Sequence, residues 1–233
     1  MLEDGSVETQ TANYLTTGVW SEGAIAEARK YCSPNEVASN KPHKYQTIAQ
    51  PDDWKVDPKA KYFHYCDNET VQGFEFHDFP FQKVPKGQIL VCDMSSNLLT
   101  KEIDWNRYDL VYAGAQKNVG PAGVTIVIVR STLVKGHRSD TPLICDWELF
   151  SKAQNMFHNT PACFPIYMCG LNLAYIIEQG GVPAMKAMAE KRSKLLYDCI
   201  DSSDGYYINQ VDPKYRSRIN IPFRVCFDAK LEA

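Results

Sequence analysis

Short runs of consecutive apolar residues punctuate the first half of the chain. Residues 1–12 are polar and carry no regular pattern. Tyr14 to Trp20 then predicts a short strand ending in a turn. Ser21 is placed to cap a helix running through Ala24, Ile25, Ala26, Ala28 and Arg29 to Tyr31. Residues 33–60, rich in Pro, Asn, Asp and Lys, read as a long connection. Lys61 to Cys66 predicts a strand, stopped by the turn chemistry of Asp67-Asn68-Glu69-Thr70. Gln88 to Cys92, Tyr108 to Ala113 and Gly123 to Val129 predict three more strands. Their apolar runs are continuous rather than alternating, so they are expected to be covered on both faces, as in an α/β sheet.

The period changes after residue 160. Pro165 to Glu178 carries Ile166, Leu173, Ile176 and Ile177 at helical spacing, and Gly180-Gly181 marks its end. Pro183 opens a second helix with Met185, Met188, Ala189, Leu195, Leu196 and Cys199 on one side. Lys186, Glu190, Lys191, Arg192 and Lys194 lie on the other, a solvated face. Beyond Asp201 to Gly205, the stretches Tyr206 to Ile208 and Ile219 to Val225 read as strands. There is no internal repeat.

Composition narrows the class. At 233 residues, 44% hydrophobic and 23% charged, the chain is neither collagen-like nor wholly disordered. The length fits one large domain, or one domain with part of a second. Twenty-five basic against 28 acidic residues give a net charge of -3. That balance excludes a uniformly basic nucleic-acid surface but leaves room for a local basic pocket. No apolar run reaches the roughly 18 residues that span a bilayer, and the acidic start has no signal-peptide core. Neither a nucleic acid nor a membrane is an expected partner. The eight cysteines are scattered without a Cys-x-x-Cys pair. They are expected to be reduced and mostly buried in a cytoplasmic protein. The five histidines are not paired with them at zinc-site spacing, so no metal site is expected.

Three of the strands finish in polar residues. Asn68-Glu69-Thr70 follows the first, Asp93-Met94-Ser95-Ser96 the second and Gln116-Lys117-Asn118 the third. Ligands of open α/β sheets bind at the carboxyl ends of strands. An Asp and a Lys there are the pair that pyridoxal phosphate (PLP) chemistry requires: a lysine for the Schiff base and a carboxylate for the pyridinium nitrogen. The same residues also read as a turn-forming Asp and a surface Lys. Gly114 to Gly123 is glycine-rich, but it lacks the Gly-Lys-Ser/Thr ending of a phosphate loop.

The segment Tyr112-Ala113-Gly114-Ala115-Gln116-Lys117-Asn118-Val119-Gly120-Pro121-Ala122-Gly123 resembles the Schiff-base lysine motif of the phosphoserine aminotransferase family, fold-type I class V PLP enzymes. Further segments agree, in the family's order: Thr17-Gly18-Val19-Trp20-Ser21, Cys66 to Gly73, Val91 to Ser96, His158-Asn159-Thr160-Pro161 and Asn220 to Arg224. The resemblance runs from about Ala12 onward. It implies a large α/β domain of fold type I, with a mostly parallel central sheet and helices on both faces, followed by the start of a small α+β domain. Residues 1–185 would form an incomplete PLP-binding domain, and residues 186–233 a linking helix and the start of the small domain.

Carried over, the resemblance makes Lys117 the cofactor-bound lysine and proton shuttle, and Asp93 the partner of the pyridine nitrogen. Trp20 would stack on the ring; its alternative is a core aromatic. Thr70 would reach the phenolic oxygen and Gln116 the phosphate, where each otherwise reads as a turn residue. Asn159 and Thr160 would reach the phosphate of a neighbouring subunit's cofactor; otherwise they cap the helix beginning near Pro161 or Pro165. Ser95 and Ser96 read as local caps. The implied reaction is transamination between glutamate and 3-phosphooxypyruvate, giving 2-oxoglutarate and O-phosphoserine in serine biosynthesis, within a homodimer.

The family's glycine-rich phosphate turn and its two substrate-binding His-Arg pairs have no match here, and His137-Arg138 stands in a different context. The resemblance thus implies a chain truncated at both ends, with exposed apolar surface and little activity alone. The alternative expectation is a catalytically inactive homologue that modulates a full-length aminotransferase, as its heterodimer partner.

Overall fold

Alternation of side chains builds the centre of the molecule. In β3 (Tyr62–Cys66), Phe63 and Tyr65 point to one face and are fully buried, while Tyr62 and His64 point to the other. The computed structural model describes residues 10–136, 139, 141–228 and 230–231. Before β3 come β1 (Thr11–Thr16), α1 (Val19–Ala28) and β2 (Ser33–Ser39). After it come a short hairpin, β4 (Asn68–Glu69) with β5 (Phe74–Glu75), and then β6 (Ile89–Asp93), β7 (Leu110–Gly114) and β8 (Thr125–Val129). The later part holds α2 (Trp147–Lys152), α3 (Cys163–Glu178), α4 (Gly181–Asp201), β9 (Tyr207–Ile208) and β10 (Arg224–Val225).

Six strands form one sheet in the order β2-β1-β3-β6-β7-β8. All neighbours are parallel except β7 and β8, which are antiparallel. The fold is the expected α/β type, a mostly parallel sheet with helices. Register aligns Phe63 with Leu90 and Cys92 with both Tyr65 and Val111. Those residues share a core with Trp54, Phe76, Phe79 and Leu98 from the connections. Tyr65 stacks on Phe79 at 3.8 Å and 15°. On the opposite face, α1 packs Ile25 and Ala28 against Ala12 and Tyr14.

Several expectations change. Residues 33–60 are not simply a connection: Ser33–Ser39 forms the parallel edge strand β2, where Pro34 is tolerated because an edge needs fewer donors. The strand at Tyr14 begins earlier, at Thr11, and stops at Thr16; Trp20 lies in α1. Ser21 does not precede α1 but sits inside its first turn, accepting the Thr17 and Gly18 N–H groups at 2.8 and 3.0 Å. The predicted turn at Asn68-Glu69 is a strand of the hairpin. Of Ile219 to Val225, only Arg224–Val225 is a strand.

Cover is uneven. In β6 and β7, buried and half-buried positions alternate, and Val127 and Ile128 of β8 are exposed, because α1 packs chiefly against the β1, β2 and β3 side of the sheet. Along α3 only Cys169 and Ile176 are buried, and on α4 Leu195, Leu196 and Cys199 are exposed. The expected division at 185/186 falls inside α4, a continuous helix. All eight cysteines are free thiols. They are not mostly buried: only Cys66, Cys92 and Cys169 are, since the other five lie outside the central sheet's core. Among the described residues, no helix is long and apolar enough to cross a membrane, and no group of three or more side chains could hold a metal ion.

Candidate active site

Adjacent strands bring the polar strand ends together. Because β3, β6 and β7 are neighbours, their carboxyl ends deliver Asn68 and Thr70, Asp93, and Gln116 with Lys117 to one cleft. Trp20, from the first turn of α1, closes its side, and Ser95 and Ser96 complete the lining. Five of the seven predicted site residues therefore meet: Trp20, Thr70, Asp93, Gln116 and Lys117. Asn159 and Thr160 do not line this cleft. They are exposed ahead of α3, and neither caps it: its N-cap is Ala162, with no side-chain cap. His137 and Arg138 lie outside the described residues.

The lysine is held by its own turn. Gly120 N–H bonds the Ala115 carbonyl at 2.8 Å. Asn118 donates to the Ser96 carbonyl at 2.6 Å, and Asn172 of α3 donates to the carbonyls of Asn118 and Val119 at 2.9 and 3.0 Å. Gly120 has to be small here, since a Cβ would lie 2.6 Å from the Cys169 sulfur. The Lys117 amine donates to the Thr70 hydroxyl at 2.5 Å and lies 5.5 Å from the centre of the Trp20 ring. Burial pulls the Lys117 amine below its ordinary value, against the opposing charge of Asp93 foremost. Asp93 turns one carboxylate oxygen to the Ser95 N–H at 2.8 Å, so it also fills the turn-forming role. Trp20 is 51% exposed, which removes the core-aromatic reading.

Sequence reasoning missed the residues behind this layer. The first three N–H groups of α1 are satisfied from the β4–β5 hairpin: Val19 by Gln72 at 3.2 Å, Trp20 and Ser21 by Glu69 at 3.0 Å each. The Ser21 hydroxyl adds a bond to Glu69 at 2.5 Å. Burial pushes the Glu69 carboxyl up against these bonds, which pull it down. Gly18 has no room for a Cβ, which would sit 2.6 Å from Glu69. Asn68 donates to Ser96 and to Asn220, both at 2.8 Å, and accepts the Ser217 hydroxyl at 2.5 Å. These bonds tie residues 217–220 to the cleft floor. Arg218 forms a buried ion pair with Glu75 at 2.6 Å. The only sequence signal for this layer was the unusual density of polar residues from Asp67 to Gln72.

The aminotransferase class-V family model matches residues 8–232. The phosphoserine aminotransferase of Drosophila melanogaster is 47% identical over 218 residues, which are 94% of this chain and 59% of that protein. The structure of phosphoserine aminotransferase from Bacillus circulans subsp. alkalophilus superposes with a TM-score of 0.91 at 39% identity, covering 97% of this chain and 61% of that one. The PLP-bound phosphoserine aminotransferase of Trichomonas vaginalis gives 0.88 at 36% identity, over 96% of this chain and 63% of that one. The chain thus spans about three fifths of the length of these relatives.

Proposed function

This chain belongs to the aminotransferase class-V family, and from that premise we propose that its Lys117 cleft holds pyridoxal 5'-phosphate. The reaction is amino transfer from glutamate to 3-phosphooxypyruvate, giving 2-oxoglutarate and O-phosphoserine in serine biosynthesis. The observation that carries this reading is the meeting, in one cleft, of a partly buried amine, a carboxylate, a hydroxyl and an open indole face. That set suits a pyridine aldehyde: the carboxylate for a ring nitrogen, the indole for the ring face, the amine for the aldehyde.

Bound there, PLP supplies a carbonyl carbon that bonds amines and a ring that draws electrons from the neighbouring C–H bond. Burial raises the free-base share of Lys117, so its Nζ can bond a carbonyl and take the proton from the amino acid's Cα. Asp93 holds the proton on the ring nitrogen. Thr70 accepts from Lys117, which orients the amine, and its own O–H would donate to the ring's phenolic oxygen. Trp20 shields one ring face from water, and Gln116 donates to the phosphate. In a homodimer, exposed Asn159 and Thr160 are free to reach a second copy's phosphate. Free thiols suit a reducing compartment, the cytoplasm. Among the described residues, no feature favours a purely modulatory role.

The test is the first half-reaction. The PLP-loaded chain, mixed with glutamate alone, is expected to release stoichiometric 2-oxoglutarate. Bound PLP with no 2-oxoglutarate would overturn amino transfer from glutamate.

A further inference from the structure

A polar pair lies behind Asp93 that the cleft itself does not use. On the face of the sheet that carries α1, β3 and β7 place His64 and Tyr112 on either side of β6. His64 is buried, and its Nε2 is 2.9 Å from the Tyr112 hydroxyl, with the rings 6.0 Å apart and 25° from parallel. Tyr14 covers the imidazole from β1 at 4.9 Å. Tyr112 is in register with Asp93 across the β6–β7 ladder, and registered neighbours point to the same face. Cys66 is in register with Asp93 on its other side.

The protons in this cluster can be counted. Burial, and then the charge of Asp93, push the Tyr112 hydroxyl up, so it stays protonated. Burial pushes the His64 imidazole down to about 4, so at neutral pH it carries a single N–H. The phenol has one O–H, and a carboxylate only accepts. The His64 Nδ1 is enclosed and has no partner among the described residues. A proton on Nδ1 would therefore be a buried orphan donor, whereas a bare Nδ1 leaves only an unused acceptor. With the proton on Nε2, His64 donates to the Tyr112 oxygen, and the Tyr112 proton is free for Asp93.

We propose that His64 and Tyr112 form a one-way donor chain, Nε2–H to Tyr112 oxygen and Tyr112 O–H to the Asp93 carboxylate, which aims Asp93 at the ring nitrogen of the bound cofactor. Both are positioning residues. The His64–Tyr112 contact and the register of Tyr112 with Asp93 carry the chain of donors; its purpose rests on the function proposed above. The arrangement delivers polarised hydrogen bonds to the carboxylate without placing a positive charge next to the ring.

Two measurements on the full chain test it. Long-range 15N–1H NMR of the wild type without PLP, with His64 assigned by its loss in His64→Gln, is expected to show the Nε2–H tautomer at pH 7. An Nδ1–H tautomer or an imidazolium overturns the donor chain, and no variant has to fold for that result except as an assignment aid. In the second, PLP is titrated into His64→Gln, whose amide still donates to Tyr112, and into His64→Leu, which cannot. The Gln variant is expected to keep PLP affinity within about threefold of wild type and the Leu variant to lose about tenfold. Equal losses overturn the positioning role. A wild type that shows the Nε2–H tautomer but takes up no PLP refutes the proposed function and leaves the donor chain standing.

Discussion

Replacing Glu69 by alanine removes the acceptor of two backbone N–H groups and one hydroxyl at the start of α1. Ser21 is fully buried, so its N–H loses its partner with no water to replace it, while its hydroxyl keeps the Gly18 carbonyl at 3.0 Å; the Trp20 N–H is only partly enclosed. Taking about 2 kcal/mol for the Ser21 N–H and about 1 for Trp20, the loss is about 3 kcal/mol. Glutamine keeps one oxygen and costs about 1 kcal/mol. Urea unfolding gives both values from the shift in midpoint at constant slope. The pH dependence adds a check with a definite sign. Burial raises the folded-state value of Glu69 above its ordinary 4.5. The stability linked to the protonated form is therefore fully present below 4.5 and is lost as pH rises through the folded value. Wild type should gain on Glu69→Gln as pH falls from 7 towards 4.5. An alanine variant within about 0.5 kcal/mol of wild type, the range of ordinary surface changes, would refute the capping role.

Other substitutions probe separate parts of the structure. Trp20→Ala should weaken PLP binding about tenfold in a spectral titration, while moving unfolding by under about 1 kcal/mol, because the half-exposed ring carries little core packing. Glu75→Gln removes the nearer counter-charge of Arg218, leaving it only Glu190 at 3.5 Å, and should cost about 2 kcal/mol in urea. Its pH dependence is opposite to that of Glu69. Burial pushes the Glu75 carboxyl up, but the bonds and charge of Arg218 outweigh it and hold the group below 4.5. That stability is present above 4.5 and is lost as pH falls through the folded value. Gly73→Ala should lower the melting temperature by several degrees: φ is +68°, and a Cβ would lie 2.2 Å from Pro222 Cδ and 2.9 Å from the Asn220 carbonyl.

What the sequence made legible follows from where each signal is stored. Strands β3, β6, β7 and β8 lie in continuous apolar runs, and a run survives as a pattern whatever it packs against. The edge strand β2 reads Ser-Pro-Asn-Glu-Val-Ala-Ser, with Val37 alone fully buried, so nothing local distinguishes it from a loop. The antiparallel direction of β8 is a tertiary choice that leaves no mark on Thr125–Val129. The start of α1 was misplaced because its cap is remote: Glu69 and Gln72 supply the acceptors from about fifty residues away. In the site, Lys117 and Asp93 stood out as polar residues at strand ends, and the resemblance carried by their motifs gave them their roles. The roles of His64, Asn68 and Tyr112 could not be read, because each acts through a partner that only the sheet or the C-terminal segment brings near. Asn159 and Thr160 were singled out for a role towards a neighbouring subunit, and they lie exposed and away from the cleft.

The central claim is that Lys117 is the residue that takes PLP. Borohydride reduction of the PLP-incubated chain, followed by peptide mass mapping, tests it most directly. A pyridoxyl label on Lys117, absent from the same peptide of Lys117→Ala, is the predicted result; no label, or a label spread over surface lysines and unchanged in the variant, would contradict it.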